Sequence, residues 1–100
     1  MRVFKYHRNL PVVVRLPLTP DQVESGARVG KMLRDARAER DLVEIARAAG
    51  ISPETLRKIE SGRMPTPAFG TVVGLCDALD LPVHEVAEVW RGTASLRSAS

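Results

Sequence analysis

The chain is poor in aromatic residues, in cysteine and in unbroken apolar runs, and each scarcity excludes something. Phe4, Tyr6, Phe69 and Trp90 are its only aromatic residues, so a core must rest on Ala, Val, Leu and Ile. One cysteine, Cys76, cannot form an internal disulfide, and no Cys/His cluster has metal-ligand spacing. A reducing cytoplasm fits that usage, and no metal is expected. His7 and His84 stand far apart and read as surface residues. The longest early apolar run, Leu10-Pro11-Val12-Val13-Val14, is stopped by Arg15, too short for a membrane span or a signal-peptide core. Absent too are a serine–histidine–acid set, paired catalytic carboxylates and a glycine-rich phosphate loop. An enzyme is therefore not expected, nor a cofactor.

What is present is one modest domain's worth of chain with a polarised charge. Residues 1–20 carry Arg2, Lys5, Arg8 and Arg15 and no acid, whereas residues 64–90 carry Asp77, Asp80, Glu85 and Glu88 and neither Lys nor Arg. That asymmetry suggests a polyanionic partner near the N-terminal side.

Residues 1–18 are β-branched and alternating, with Val12, Val14 and Leu16 set against Val13 and Arg15. They read as an extended arm or hairpin, which must pack on helices or pair with another chain. Thr19-Pro20-Asp21-Gln22 reads as a capping box opening a helix to about Arg40, in which Gly26 and Gly30 either weaken the helix or admit a neighbouring backbone. Asp41-Leu42-Val43-Glu44 reads as a second capping box for a short helix closed by Gly50, and Ser52-Pro53 starts another running to about Ser61. Met64-Pro65-Thr66-Pro67 must be a loop. A fourth helix over 68–79 uses Phe69, Val72, Val73, Leu75, Cys76 and Leu79, with Cys76 on the inner stripe. A fifth opens at Leu81-Pro82 and reaches about Trp90. The expected partition is an arm over 1–18, a helical domain over 19–90 and a flexible tail over 91–100.

The informative constellation is the pair of short helices joined by Gly50-Ile51-Ser52. So tight a corner needs a small residue where the helices cross (Ala46), one tolerant of positive φ at the bend (Gly50), and apolar pins on the second helix (Ile51, Leu56, Ile59). The stretch Glu44-Ile45-Ala46-Arg47-Ala48-Ala49-Gly50-Ile51-Ser52, followed by Leu56-Arg57-Lys58-Ile59-Glu60-Ser61-Gly62, resembles the Cro/CI-type (XRE-like) repressor family. The likeness extends upstream over residues 29–37 and downstream through Pro67 and 72–81. It implies a mainly α, five-helix, lambda-repressor-like DNA-binding domain, here with a short N-terminal strand or hairpin. Leu42 and Pro53 stand where that family often has Gln, or Gln or Arg.

Helical geometry sets Leu56 and Ile59 on the buried face of the second helix and Glu54 and Ser61 opposite, with Arg57 and Lys58 flanking. Arg57 and Lys58 can donate to guanine O6 and N7, and Glu54 can accept from cytosine N4. Thr55 can meet a phosphate or a thymine methyl. Glu54 and Lys58 are also spaced to bridge each other on an exposed face. Glu60 points toward the buried side and wants a partner; the resemblance supplies Arg37, and implies a phosphate contact at Arg63. Arg34 and Arg47 are weaker candidates.

The expectation is a transcriptional regulator, a repressor, that binds double-stranded DNA as a homodimer through the fifth helix or the N-terminal strands. Trp90 with Val83, Val86 and Val89 is the candidate dimer patch on that helix. Two alternatives stand: the antitoxin of a toxin–antitoxin pair, with a protein partner on the N-terminal segment, and a protein–protein module that has lost DNA binding.

Overall fold

A computed structural model describes residues 17–92, and the expected N-terminal strand or hairpin lies almost wholly outside them, as does most of the expected tail. Among the described residues there are five helices and no strand: α1 Pro20–Arg37, α2 Leu42–Ala49, α3 Pro53–Glu60, α4 Phe69–Leu79 and α5 Val83–Arg91. None is long and apolar enough to cross a membrane.

Local chemistry explains most of the boundaries. The Thr19 hydroxyl accepts from the Gln22 N–H at 3.1 Å while the Thr19 N–H donates to the Gln22 side chain at 2.9 Å, with Pro20 in the first turn. α1 stops at Arg37, short of the expected Arg40, because Ala38 takes φ 53° and Arg37 turns back to donate to the Arg40 carbonyl. Asp41 precedes α2 in an extended conformation, but its side chain makes no capping bond, so the second capping box is not formed. Its charge acts instead on the nearby Arg37 guanidinium.

The corner itself is a Schellman turn. Gly50, at φ 79°, donates to the Arg47 carbonyl, and the Ile51 N–H closes onto Ala46 at 3.0 Å. Ser52 then caps α3, its hydroxyl accepting from the Thr55 N–H at 3.0 Å.

The core is aliphatic: Val29, Leu33, Ile45, Ala46, Leu56, Ile59, Leu75, Cys76, Leu79 and Val86 are buried. α2 packs chiefly on α4, and α1 on α5 and α3. Helix contact is made close by missing side chains. A methyl at Gly30 would overlap the Ile59 carbonyl oxygen, one at Gly26 would overlap the Pro65 backbone, and one at Gly74 would stand 2.7 Å from the Ala49 carbonyl oxygen. The two glycines of α1 thus admit the end of α3 and the loop that follows it.

Two expectations about the apolar set need correction. Phe69, counted among the apolar residues that α4 uses, is 73% exposed at the first residue of the helix. Val86, assigned to a surface patch on α5, is buried, while Val83 is exposed and Val89 and Trp90 are half-buried. α5 is fastened to α1 at its last turn. Arg28 donates to the Val89 carbonyl at 3.0 Å and the Trp90 carbonyl at 2.9 Å, and the Ser25 hydroxyl donates to the latter at 2.8 Å. These bonds satisfy carbonyls that a helix end leaves open.

Gly→Ala inside a helix ordinarily stabilises by about 1 kcal/mol. At Gly30 the sign should reverse, with Gly30→Ala costing about 1–3 kcal/mol in urea denaturation because the new methyl forces α1 and α3 apart. Gly70→Ala, where nothing lies within 4 Å, should stabilise.

Candidate nucleic-acid interface

α3 is an eight-residue helix held by one side only. Leu56 and Ile59 are fully buried, and Ile51 packs against the core from the turn. Glu54, Arg57 and Ser61 are exposed, and Lys58 and Thr55 are half-buried. The four polar side chains Glu54, Arg57, Lys58 and Ser61 therefore share the side turned away from the bundle. Glu54 and Lys58 approach to 3.9 Å, an exposed pair contributing a few tenths of a kcal/mol at most. So loose a contact leaves both free to exchange partners. The Thr55 side chain is engaged at the cap, where its hydroxyl accepts from Ser52 at 2.9 Å.

The far end of α3 is fixed by an ion pair. Arg37 meets Glu60 through two parallel bonds, Nε to Oε2 at 2.7 Å and Nη2 to Oε1 at 2.9 Å. The side chains are 16% and 7% exposed, so this is a well-shielded, bidentate contact. Hydrogen bonding to Glu60 raises the Arg37 pKa above its ordinary value. Burial opposes the rise, and the charges of Glu60 and Asp41 add to it. The guanidinium is thus permanently charged, and its charge is largely spent inside the molecule.

Around that pair opens a cleft lined by Arg34, Leu42, Arg57, Ser61 and Arg63. Arg34 and Arg57 are exposed, and their side chains make no hydrogen bond or ion pair among the described residues. Arg63 lies beyond Gly62, itself at φ 84°, and its Nε reaches the Ser61 hydroxyl at 3.4 Å. Three cations from α1, α3 and the following loop thus border one concavity beside the outward side of α3, an arrangement suited to an anionic backbone. Arg47 is exposed at the end of α2 and is not among the residues lining this cleft.

A helix fixed on one side, preceded by a tight αL corner and flanked by cations, is the geometry of a helix-turn-helix. A family model described as a helix-turn-helix domain matches residues 20–89. The chain belongs to the helix-turn-helix domain family. No curated protein matches the chain.

Within this helix-turn-helix the sequence alone did not bring Arg34 and Leu42 to the same cleft as Arg57. They lie on three helices, and the packing of α3 against both α1 and α2 makes them neighbours. Among the described residues no group of His, Cys, Asp and Glu could hold a metal ion. Cys76 is buried, which pushes its thiol pKa up, with the Asp77 charge adding to the effect, so it stays protonated and unreactive.

Removing one partner of the shielded pair leaves the other without compensation. Glu60→Ala should cost about 3 kcal/mol in thermal or urea denaturation. The double variant Arg37→Met with Glu60→Leu should recover most of that loss, and a double-mutant cycle with no coupling would show that the contact contributes nothing.

Proposed function

We propose that this protein is a sequence-specific transcriptional regulator, a repressor, that places α3 in the major groove of an operator. The observation that carries this reading is the one-sided anchoring of α3, with Glu54, Arg57, Lys58 and Ser61 directed outward. Arg57 and Lys58 are the donors for guanine edges, and Glu54 the acceptor for cytosine. Thr55, near the start of α3, meets a backbone phosphate or a thymine methyl. Arg63, with Arg34, takes the phosphates on either side and fixes the register of the helix.

One such helix buries too little surface for tight specific binding, so the protein acts as a homodimer on two half-sites roughly 34 Å apart. The second copy meets it through α5 or through residues 1–18. Loss of DNA binding in favour of a protein partner is the competing reading. It is favoured by Pro53, which occupies the first residue of α3 and offers no N–H or polar side chain to a base.

Selection from a random pool of duplex DNA, with the mass of the complex measured, tests both. Enrichment of a two-fold symmetric motif by a 2:1 complex is expected. No enrichment at low salt would overturn the DNA reading in favour of the interaction module. On the selected site, Lys58→Ala should cost about 1–3 kcal/mol and relax preference at one or two positions, with little loss on random DNA. Arg63→Ala should weaken binding to all sequences and lower the salt slope by about one.

A further inference from the structure

Glu54 and Lys58 stand one helical turn apart on the outward side of α3, and their tips converge. Their backbones are separated by about 6 Å of helical rise. The Lys58 ammonium nevertheless lies 3.9 Å from the Glu54 carboxylate, with the side chains 40% and 73% exposed. Among the described residues neither side chain has a second ion-pair or hydrogen-bond partner. The side of α3 turned away from the bundle thus carries an acceptor and a donor next to each other, in an order fixed by the direction of the helix.

We propose that this pair recognises a single C·G base pair as a unit, Glu54 on the cytosine and Lys58 on the guanine, which rests on α3 entering a major groove as proposed above. Within one C·G pair, cytosine N4 and guanine O6 share a Watson–Crick hydrogen bond. They therefore lie about 2.9 Å apart at the major-groove edge. Cytosine N4 keeps a second N–H facing the groove, and this donates to the Glu54 carboxylate. Guanine O6, with N7 beside it, accepts from the Lys58 ammonium. A donor and an acceptor on the base pair so meet an acceptor and a donor on the helix at similar spacing, and the two side chains stay paired while they read. Reading different base pairs would pull them apart, because the next pair is displaced by about 3.4 Å of rise and by the helical twist as well.

Polarity fixes the orientation. In the inverted pair Glu54 faces guanine O6 and N7, acceptor against acceptor, while Lys58 faces the cytosine N4 donor. An A·T pair with adenine in place of cytosine is intermediate. Its N6 donates to Glu54, but N7 lies beside the carboxylate, and the ammonium meets thymine O4 alone with the methyl group next to it.

Selection from random duplex DNA, run with the full chain and with Glu54→Ala and Lys58→Ala, tests the unit. Both variants should relax one and the same position, a C·G pair in the motif of the unsubstituted chain. Relaxation at two different positions, or at none, would overturn the unit and leave the DNA reading intact. No motif for the unsubstituted chain would overturn both. Inverting that C·G pair should weaken the unsubstituted chain about 5- to 150-fold, and Glu54→Ala should lose most of that penalty. An undiminished penalty would overturn the proposal. Should a variant fail to fold, modified sites decide with the unsubstituted chain. N4-methylcytosine, which replaces the groove-facing N–H, and 7-deazaguanine, which lacks N7, should each weaken binding when placed in one and the same pair. Sensitivity to the two in different pairs only would overturn the proposal.

Discussion

The nearness of α1 to the last turn of α3 is the constraint on which the arrangement of the molecule rests. At Gly30 the two backbones come so close that no side chain fits between them, and two helical turns further along α1 Arg37 closes on Glu60. The first contact is steric and fixes distance. The second is bidentate and fixes rotation about the α3 axis, since a planar guanidinium accepts a carboxylate in few orientations. Leu56 and Ile59 supply the burial that holds the helix down, at about 25 cal/mol per Å² of apolar surface removed from water. Burial is non-directional, so without the glycine and the ion pair α3 could turn under its own apolar stripe.

Fixing the rotation of α3 decides which charges are spent and which are left over. Arg37 is consumed by Glu60, and Arg28 by the last carbonyls of α5, so these two cations serve the fold. Arg34, Arg57 and Arg63 border the cleft beside α3 without such partners, apart from the long Arg63–Ser61 contact. The net charge of +3 thus says little by itself. What matters for a polyanion is where the unneutralised cations stand, and three of them, Arg34, Arg57 and Arg63, stand together beside the outward side of α3. An apolar groove around Phe69 and Trp90 is lined by α4, α5, the middle of α1 and the loop after α3, and it shares no lining residue with that cleft.

Features settled within a few residues were legible in the sequence. Thr19 with Gln22, Ser52 before Pro53, and Gly50 at the corner are local devices, in which a side chain meets a backbone group of its own turn, and each stands where the sequence put it. The exception is informative. Asp41 and Glu44 have the right spacing for a reciprocal cap, yet the cap is unmade and Asp41 feels the Arg37 charge instead. A surface carboxylate has several partners of nearly equal worth, and a nearby guanidinium is one that no local pattern reveals. The same holds for Phe69 and Val86. An amphipathic pattern gives the side of a helix that is apolar, but the first turn of α4 overhangs the core, and α5 sits deeper than its pattern implied.

The amino-acid sequence determined by itself the number and kind of helices among the described residues, the sharp corner between α2 and α3, and the aliphatic face by which α3 is held. Those follow from capping chemistry, from backbone preferences and from a 3.6-residue period, all of which act over a few positions of chain. Only the tertiary structure decided that Gly26 and Gly30 are places of close approach rather than weak points of a helix. It also decided that Arg28 is bound to residues some sixty positions away, and that Arg34, Leu42 and Arg57 share one cleft. The reason is physical. Packing distance and leftover charge are properties of pairs of surfaces, and a pattern along one helix carries no information about the helix that will meet it.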